Sequence, residues 1–215
     1  MRGVRALLLG VLLAGLAGCA TVEVRETRVV TGQVTDQSGK PVAGSPVLVV
    51  GRSLLLKPMQ WQYQERDRKE ARTATGADGR YRLEFTPADL GNNFFLFFFD
   101  VSGFDGVKYR KPEPLEITDL LRRDRGIAVN QVLQFHPSWP EVERQIGFYG
   151  PASERARILR KHGLPDKRDR AAGAEGETEA WWYPAAGVMY TFKEDTLIRT
   201  HTFQPLPAGA PAPKP

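Results

Sequence analysis

Few residues in this chain could do covalent or metal chemistry. Its 215 residues contain one cysteine, Cys19, and three histidines, His136, His162 and His201. A single thiol excludes an internal disulfide framework and a cysteine-rich zinc site. No histidine has a glutamate three residues on, so the His-x-x-Glu zinc pattern of a metallocarboxypeptidase is absent. Glu65 and Glu70 lie in Glu65-Arg66-Asp67-Arg68-Lys69-Glu70, where signs alternate, and such a stretch reads as solvated surface rather than an acid–base pair. Neither a G-x-S-x-G nucleophile elbow nor a G-x-x-x-x-G-K-[ST] phosphate loop occurs. The residue types therefore predict no catalytic residues, no metal and no cofactor.

The thiol stands in a distinctive place. Met1-Arg2-Gly3-Val4-Arg5 is basic, and an apolar run from Ala6 to Gly18 follows it. A helix of that run spans about 20 Å, against about 30 Å for a bilayer core. The layout is that of a secretory signal, not a spanning helix. The run ends Leu16-Ala17-Gly18-Cys19, which resembles the bacterial lipobox. The resemblance implies cleavage between Gly18 and Cys19, a diacylglycerol on the Cys19 thiol and a further acyl chain on the new amine. One acyl chain holds a protein weakly, whereas two or more hold it durably. Ala20, not Asp, follows the cysteine. By the sorting behaviour of such lipoproteins this points to the outer membrane, facing the periplasm.

The composition is 41% hydrophobic and 26% charged, which excludes a multi-span membrane protein and a largely disordered chain. Loss of residues 1–18 removes Arg2 and Arg5 and lowers the net charge from +5 to about +3. With no run of like charges, a nucleic-acid partner is not expected.

Elements that could carry a site follow from periodicity. Val29–Thr35, Pro46–Val50, Arg80–Phe85, Phe94–Val101 and Ile127–Phe135 read as strands, with a hairpin turn at Gly76-Ala77-Asp78-Gly79. Phe94–Val101 is nearly all apolar, as in a strand buried on both faces. Val107–Ile117 is broken by Pro112 and Pro114 and reads as an edge. The residues Thr31-Gly32-Gln33-Val34, Gly39-Lys40-Pro41-Val42-Ala43-Gly44 and Thr75-Gly76-Ala77-Asp78-Gly79-Arg80-Tyr81 resemble the carboxypeptidase regulatory-like (transthyretin-like) domain. The resemblance covers residues 28–136 and implies a seven-strand antiparallel prealbumin-like sandwich, without the protease. The sequence departs from that pattern in an expected loop, Arg52–Arg72, which carries Leu54-Leu55-Leu56, Met59, Trp61 and Tyr63.

A second unit is expected over residues 137–203. Ser138 and Glu141 fit a capping box, and a second helix ends at His162 before Gly163. A polar loop over 167–178 and strands at Glu179–Tyr183, Val188–Lys193 and Leu197–Phe203 complete a small ααβββ module. Leu164-Pro165-Asp166, Glu179-Ala180-Trp181-Trp182-Tyr183 and the strand from Gly187 to Phe192 resemble the SmpA/OmlA (BamE-like) module of envelope lipoproteins. Residues 19–27 read as a linker and 204–215 as a disordered, Pro-rich tail.

The fold class is thus mainly β, with a small α+β module behind it. The expected function is that of a non-enzymatic envelope lipoprotein, tethered through Cys19, that binds a protein partner or stabilises an assembly. The alternative is a peptidoglycan- or glycan-binding lipoprotein, with Trp61 and Tyr63 stacking on sugar rings. Trp139, Phe148 and Tyr149 read as a seam between the two units.

Overall fold

The computed structural model describes residues 25–57, 62–173 and 176–207, with backbone alone at 54–57 and 62–64. The chain is mainly β and divides into two compact units. The first holds the chain up to Phe104 together with Lys111–Leu133, and the second holds Asp105–Arg110 and the chain from Gln134.

Among the described residues the first unit contains eight strands: β1 (Arg28–Asp36), β2 (Pro46–Lys57), β3 (Gln62–Ala74), β4 (Arg80–Phe85), β5 (Asn93–Phe97), β6 (Leu115–Glu116), β7 (Gly126–Ala128) and β8 (Gln131–Leu133). Two short helices join them, α1 (Pro87–Leu90) and α2 (Thr118–Arg123). One sheet runs β4-β1-β7, with β8 also paired to β1, and the other runs β3-β2-β5-β6. Strand alternation points Tyr81, Leu83 and Phe85 inward from β4, and Phe94 and Leu96 from β5. These faces meet: the rings of Tyr81 and Phe98 stand 5.9 Å apart, and those of Phe85 and Phe94 5.8 Å. The turn after β1 forms because Asp36 Oδ1 accepts the backbone N–H groups of Ser38 and Lys40 at 2.9 and 3.1 Å.

Four expectations change here. The segment 52–72 is not a loop; β2 and β3 pair from Pro46↔Ala74 to Lys57↔Gln62 and make one long hairpin. The apolar stretch from Phe94 is fully buried on one face only, since Phe95 and Phe97 are half-buried. Pairing is not wholly antiparallel, because β1 runs parallel to β7 and β8. The strand expected over Ile127–Phe135 is interrupted at Val129-Asn130. There the Val129 carbonyl folds over Gly32, where a Cβ would lie 1.8 Å from its oxygen. The same carbonyl accepts the Tyr81 hydroxyl at 2.8 Å.

The second unit pairs two helices, α3 (Trp139–Tyr149) and α4 (Glu154–His162), with an antiparallel sheet of order β12-β11-β10-β9. Its strands are β9 (Lys167–Gly173), β10 (Gly176–Tyr183), β11 (Val188–Lys193) and β12 (Thr196–Thr202). The polar stretch over 167–178 is therefore a hairpin rather than a loop, and the module has four strands instead of three. Backbone pairing from Trp182↔Lys167 to Gly176↔Gly173 overrides the weak strand preference of Arg, Asp and Gly. Trp181, Tyr183, Val188, Tyr190 and Phe192 pack against Val142, Ile146, Ala156, Ile158 and Leu159.

Ser153 caps α4, its hydroxyl accepting the Ala156 N–H at 3.1 Å. Ser138 does not cap α3 in this way. Its hydroxyl meets His136 Nδ1 at 2.7 Å, and Glu141 is taken by Arg144 and Gln145. Asp105–Arg110 forms a strap on this unit. Val107 packs against the core, Arg110 N–H donates to Gln134 at 2.8 Å, and His136 N–H donates to Lys108 at 2.8 Å. Tyr109 stacks on Phe135, and the Lys108 ammonium lies over the rings of Tyr109, Phe135 and Trp139. Trp139 and Tyr149 are partly buried against this unit's own core, and Phe148 is 79% exposed.

Candidate functional site

Among the described residues, those weighed for function are not gathered in one place. Gly18, Cys19 and Trp61 lie outside the described residues. Tyr63 sits on β3 opposite Leu56. Glu65 faces Arg52 at 3.7 Å and Glu70 pairs with Arg72, so each carboxylate is tied to an arginine rather than to the other.

The histidines are likewise dispersed. His201 stacks near Phe203 on β12. His136 Nδ1 receives the Ser138 hydroxyl, which has the spacing of a nucleophile and its base. The Ser138 backbone N–H points at the same nitrogen at 3.3 Å, however, and both groups serve the turn into α3. Among the described residues nothing hydrogen-bonds the other ring nitrogen, so no third group orients the base. His162, in the last turn of α4, meets the Tyr190 hydroxyl at 3.0 Å. Burial, with the nearby Lys161 charge, lowers its pKa and favours the neutral ring. Among the described residues no group of three or more His, Cys, Asp and Glu side chains could hold a metal ion.

The best-formed polar cluster is one that sequence reasoning missed. Arg155 lies in the first turn of α4 and is only 4% exposed. It donates to Glu179 Oε2 at 2.5 Å and to the Glu194 carbonyl at 2.6 Å. Its guanidinium lies 4.1 Å from the centre of the Phe192 ring, with Tyr149 and Trp181 at 5.0 and 5.1 Å. Glu179 is also buried, and Arg170 stands 3.6 Å from its Oε1. A cavity of about 240 Å³ opens here, lined by Arg155, Arg170, Glu177, Thr178, Glu179 and Glu194.

Burial opposes ionisation of Glu179. The hydrogen bond from Arg155, a favourable Trp181 indole N–H and the charges of Arg155 and Arg170 win, and they hold the carboxyl below the ordinary glutamate value. The indole N–H stands beyond full hydrogen-bonding geometry. A carboxylate held this way is a poor general base near neutral pH, since its proton affinity is too low. The cluster therefore reads as a structural ion pair that fixes α4 on the sheet. One signal could have found it: Glu179 shares a strand face with Trp181 and Tyr183, and a charge on an inward face needs a partner.

No protein-family model matches the chain, and no curated protein sequence does. Solved structures give weak likenesses. Chlorocatechol 1,2-dioxygenase from Pseudomonas putida aligns over 52% of this chain and 61% of its own, at 15% identity and a TM-score of 0.25. A streptococcal ancillary pilin aligns over 82% and 58%, at 12% identity and a TM-score of 0.33. A 9R-lipoxygenase from Cyanothece PCC8801 aligns over 94% and 48%, at 10% identity and a TM-score of 0.31. The chain thus spans less than two thirds of each, and likenesses this weak carry no argument for fold or function. Among the described residues no helix is long and apolar enough to cross a membrane.

Proposed function

We propose that the chain is a non-enzymatic lipoprotein of the bacterial envelope, tethered through Cys19 to the outer membrane, that binds a protein partner or stabilises an assembly. The observation that carries the reading is Cys19 itself. The sole thiol ends a basic-then-apolar opening and follows Leu16-Ala17-Gly18.

Two features support it. The first unit packs two sheets, β4-β1-β7 with β8 and β3-β2-β5-β6, about a shared core. That agrees with a prealbumin-like, carboxypeptidase regulatory-like sandwich. In the second unit two helices precede a four-stranded antiparallel sheet, an order that supports the SmpA/OmlA-like reading. Both readings describe scaffolds that bind, and the function of a fold rests on its surfaces.

Metabolic labelling with palmitate, alongside membrane fractionation, tests the anchor in wild type and Cys19→Ala. Label in the wild type alone, with outer-membrane recovery, is expected. An unlabelled wild-type chain recovered from the cytosol overturns it. Cross-linking in intact cells should then capture a discrete envelope protein. Retention on isolated peptidoglycan, lost in Trp61→Ala, would favour the glycan-binding alternative instead.

A further inference from the structure

We propose that the cavity beside Arg155 receives an arginine side chain of the protein partner, which takes the place of Arg170 on Glu179. The partner-binding reading above supplies the partner, and the cavity stands on its own geometry.

The cavity lies within the second unit, where the first turn of α4, the β9–β10 hairpin and the β11–β12 turn all contribute to its lining. Glu179 lines it and is 8% exposed. One of its oxygens is satisfied and the other is open. Oε2 accepts from Arg155, whereas Oε1 is buried and accepts no hydrogen bond among the described residues. Two groups come near without closing that gap. The Trp181 indole N–H completes no hydrogen bond, and Arg170 Nε stays 3.6 Å from Oε1. A buried charged acceptor left open costs stability. The position therefore favours a donor from outside the chain.

Charge selects a cation. Glu177, Glu179 and Glu194 line the cavity against Arg155 and Arg170. Arg155 is already committed to Glu179 Oε2 and the Glu194 carbonyl, with Asp195 3.6 Å from its Nε. Glu177 and Glu194 are exposed, and neither carboxylate forms an ion pair among the described residues. The N-terminus of α4, which would attract an anion, is occupied by the Ser153 hydroxyl. Among the described residues no cluster suits a metal ion, which leaves an organic cation.

Size and solvation narrow the choice. A cavity of about 240 Å³ is below the range of about 300–1,000 Å³ typical of small-molecule pockets, and it has room for one side chain. Guanidinium is more weakly hydrated than ammonium and presents its donors as a planar fork. Glu177 and Glu179 stand two apart on β10 and share a face, so the fork meets two carboxylates. Displacing Arg170 costs little, because its side chain is 67% exposed and exposed pairs are weak.

Nuclear magnetic resonance of the full-length chain tests this. The assigned Trp181 indole proton is followed as Nα-acetyl-arginine methylamide is added at constant ionic strength. The citrulline analogue serves as a neutral isostere, and acetate as an anion. A saturable shift with the arginine compound alone is expected. Arg170→Ala should tighten that binding by up to about fivefold, the worth of an exposed ion pair. Glu177→Lys should weaken it about tenfold or more, since it sets a like charge against the ligand. No saturable shift, an equal shift with citrulline, a shift with acetate instead, or weaker binding in Arg170→Ala overturns the site. Should a variant misfold, the arginine–citrulline pair in the wild type decides. Cross-linking in intact cells, repeated with Glu177→Lys, separates the site from the partner reading. Loss of the captured partner is expected. Undiminished capture by the folded variant overturns the inference and leaves the partner reading standing. A cavity that takes the arginine compound in a wild-type chain that captures no protein does the reverse.

Discussion

The two units solve the problem of a small core in different ways. In the first, the buried side chains are mostly aliphatic or phenylalanine, and the buried charges stand at the two ends of β1, where Arg28 pairs with Glu26 at 3.1 Å and Asp36 accepts from the turn that follows. Thr75 Oγ1 accepts the Ser45 N–H at 2.8 Å and donates to the Val42 carbonyl at 2.6 Å; Thr118 Oγ1 accepts the Phe94 N–H at 2.9 Å. In the second, rings of Tyr149, Trp181 and Phe192 are wrapped around a guanidinium, and a carboxylate is buried with it. A core whose charges stay at its margin depends mainly on shape. A core that contains an ion pair depends on shape, on both charges and on pH. The second unit should therefore be the more easily switched off, by mutation or by acid.

The sharpest way to break that contrast is Arg155→Ala. It strands the Glu179 carboxylate in an apolar site, and breaking a buried pair from one side costs about 3 to 5 kcal/mol. Denaturant unfolding followed by tryptophan fluorescence reads it, because Trp139, Trp181 and Trp182 belong to the second unit. Removing both charges, in Arg155→Met/Glu179→Leu, should recover most of that loss or all of it. If the double variant were no better than the single one, the pair would be contributing more than its own neutralisation.

Next in size is Tyr109→Ala. Tyr109 is 6% exposed and stacks on Phe135, and truncating a buried aromatic costs about 3 kcal/mol or more. Although residues of the first unit flank it on both sides in sequence, the loss should fall on the second unit. Hydrogen exchange resolved by peptide checks this: protection should drop in α3 and β11 and hold in β1 and β4.

That strap shows what the sequence could and could not reveal. Strand alternation in Arg80–Phe85, the Asp-Gly turn before it and the Gly163 stop after His162 were legible, because each is a local rule. The assignment of Asp105–Arg110 to the second unit was not, since it depends on Tyr109 meeting Phe135 across a bridge that no local pattern encodes. For the same reason no local pattern sets Arg155 apart in Glu154-Arg155-Ala156-Arg157. Its burial is set by Glu179 and Phe192, which come much later in the chain. The 167–178 hairpin was missed because its residues disfavour strands and its pairing with β10 decides the matter. The candidate anchor, by contrast, was read entirely from residues 1–19.

Gly32→Ala tests the first unit with a smaller expected effect. The new Cβ would collide with the Val129 carbonyl, so β7 and β8 must move off β1 or the backbone must strain. Overpacking of this kind costs about 1 to 3 kcal/mol. In a Trp61→Phe background, which leaves tryptophan only in the second unit, the loss should appear in exchange protection of β1 and β4, with tryptophan fluorescence unmoved. A loss of tryptophan signal in this variant would mean that the two units unfold together, and the contrast drawn above would fail.

Acid sharpens the same contrast with the gentlest perturbation. His162 has a folded pKa below its ordinary 6.5, because burial and Lys161 disfavour the charged ring. Below pH 6.5 the unfolded chain then binds more protons than the folded one, and stability falls as pH falls. Glu179 is also depressed below its ordinary 4.5. Its contribution is intact above that value and is lost as pH drops through the lower folded value. Both groups belong to the second unit, and both act in the same direction. Its unfolding midpoint should therefore decline in two stages, one beginning near pH 6.5 and one below pH 4.5, while exchange protection in β1 and β4 stays level through the first stage. His162→Gln should abolish the first stage and leave the second. A second-unit midpoint that does not change between pH 7 and pH 5 would mean that the imidazole titrates equally in both states. The burial that separates it from water would then have no thermodynamic weight.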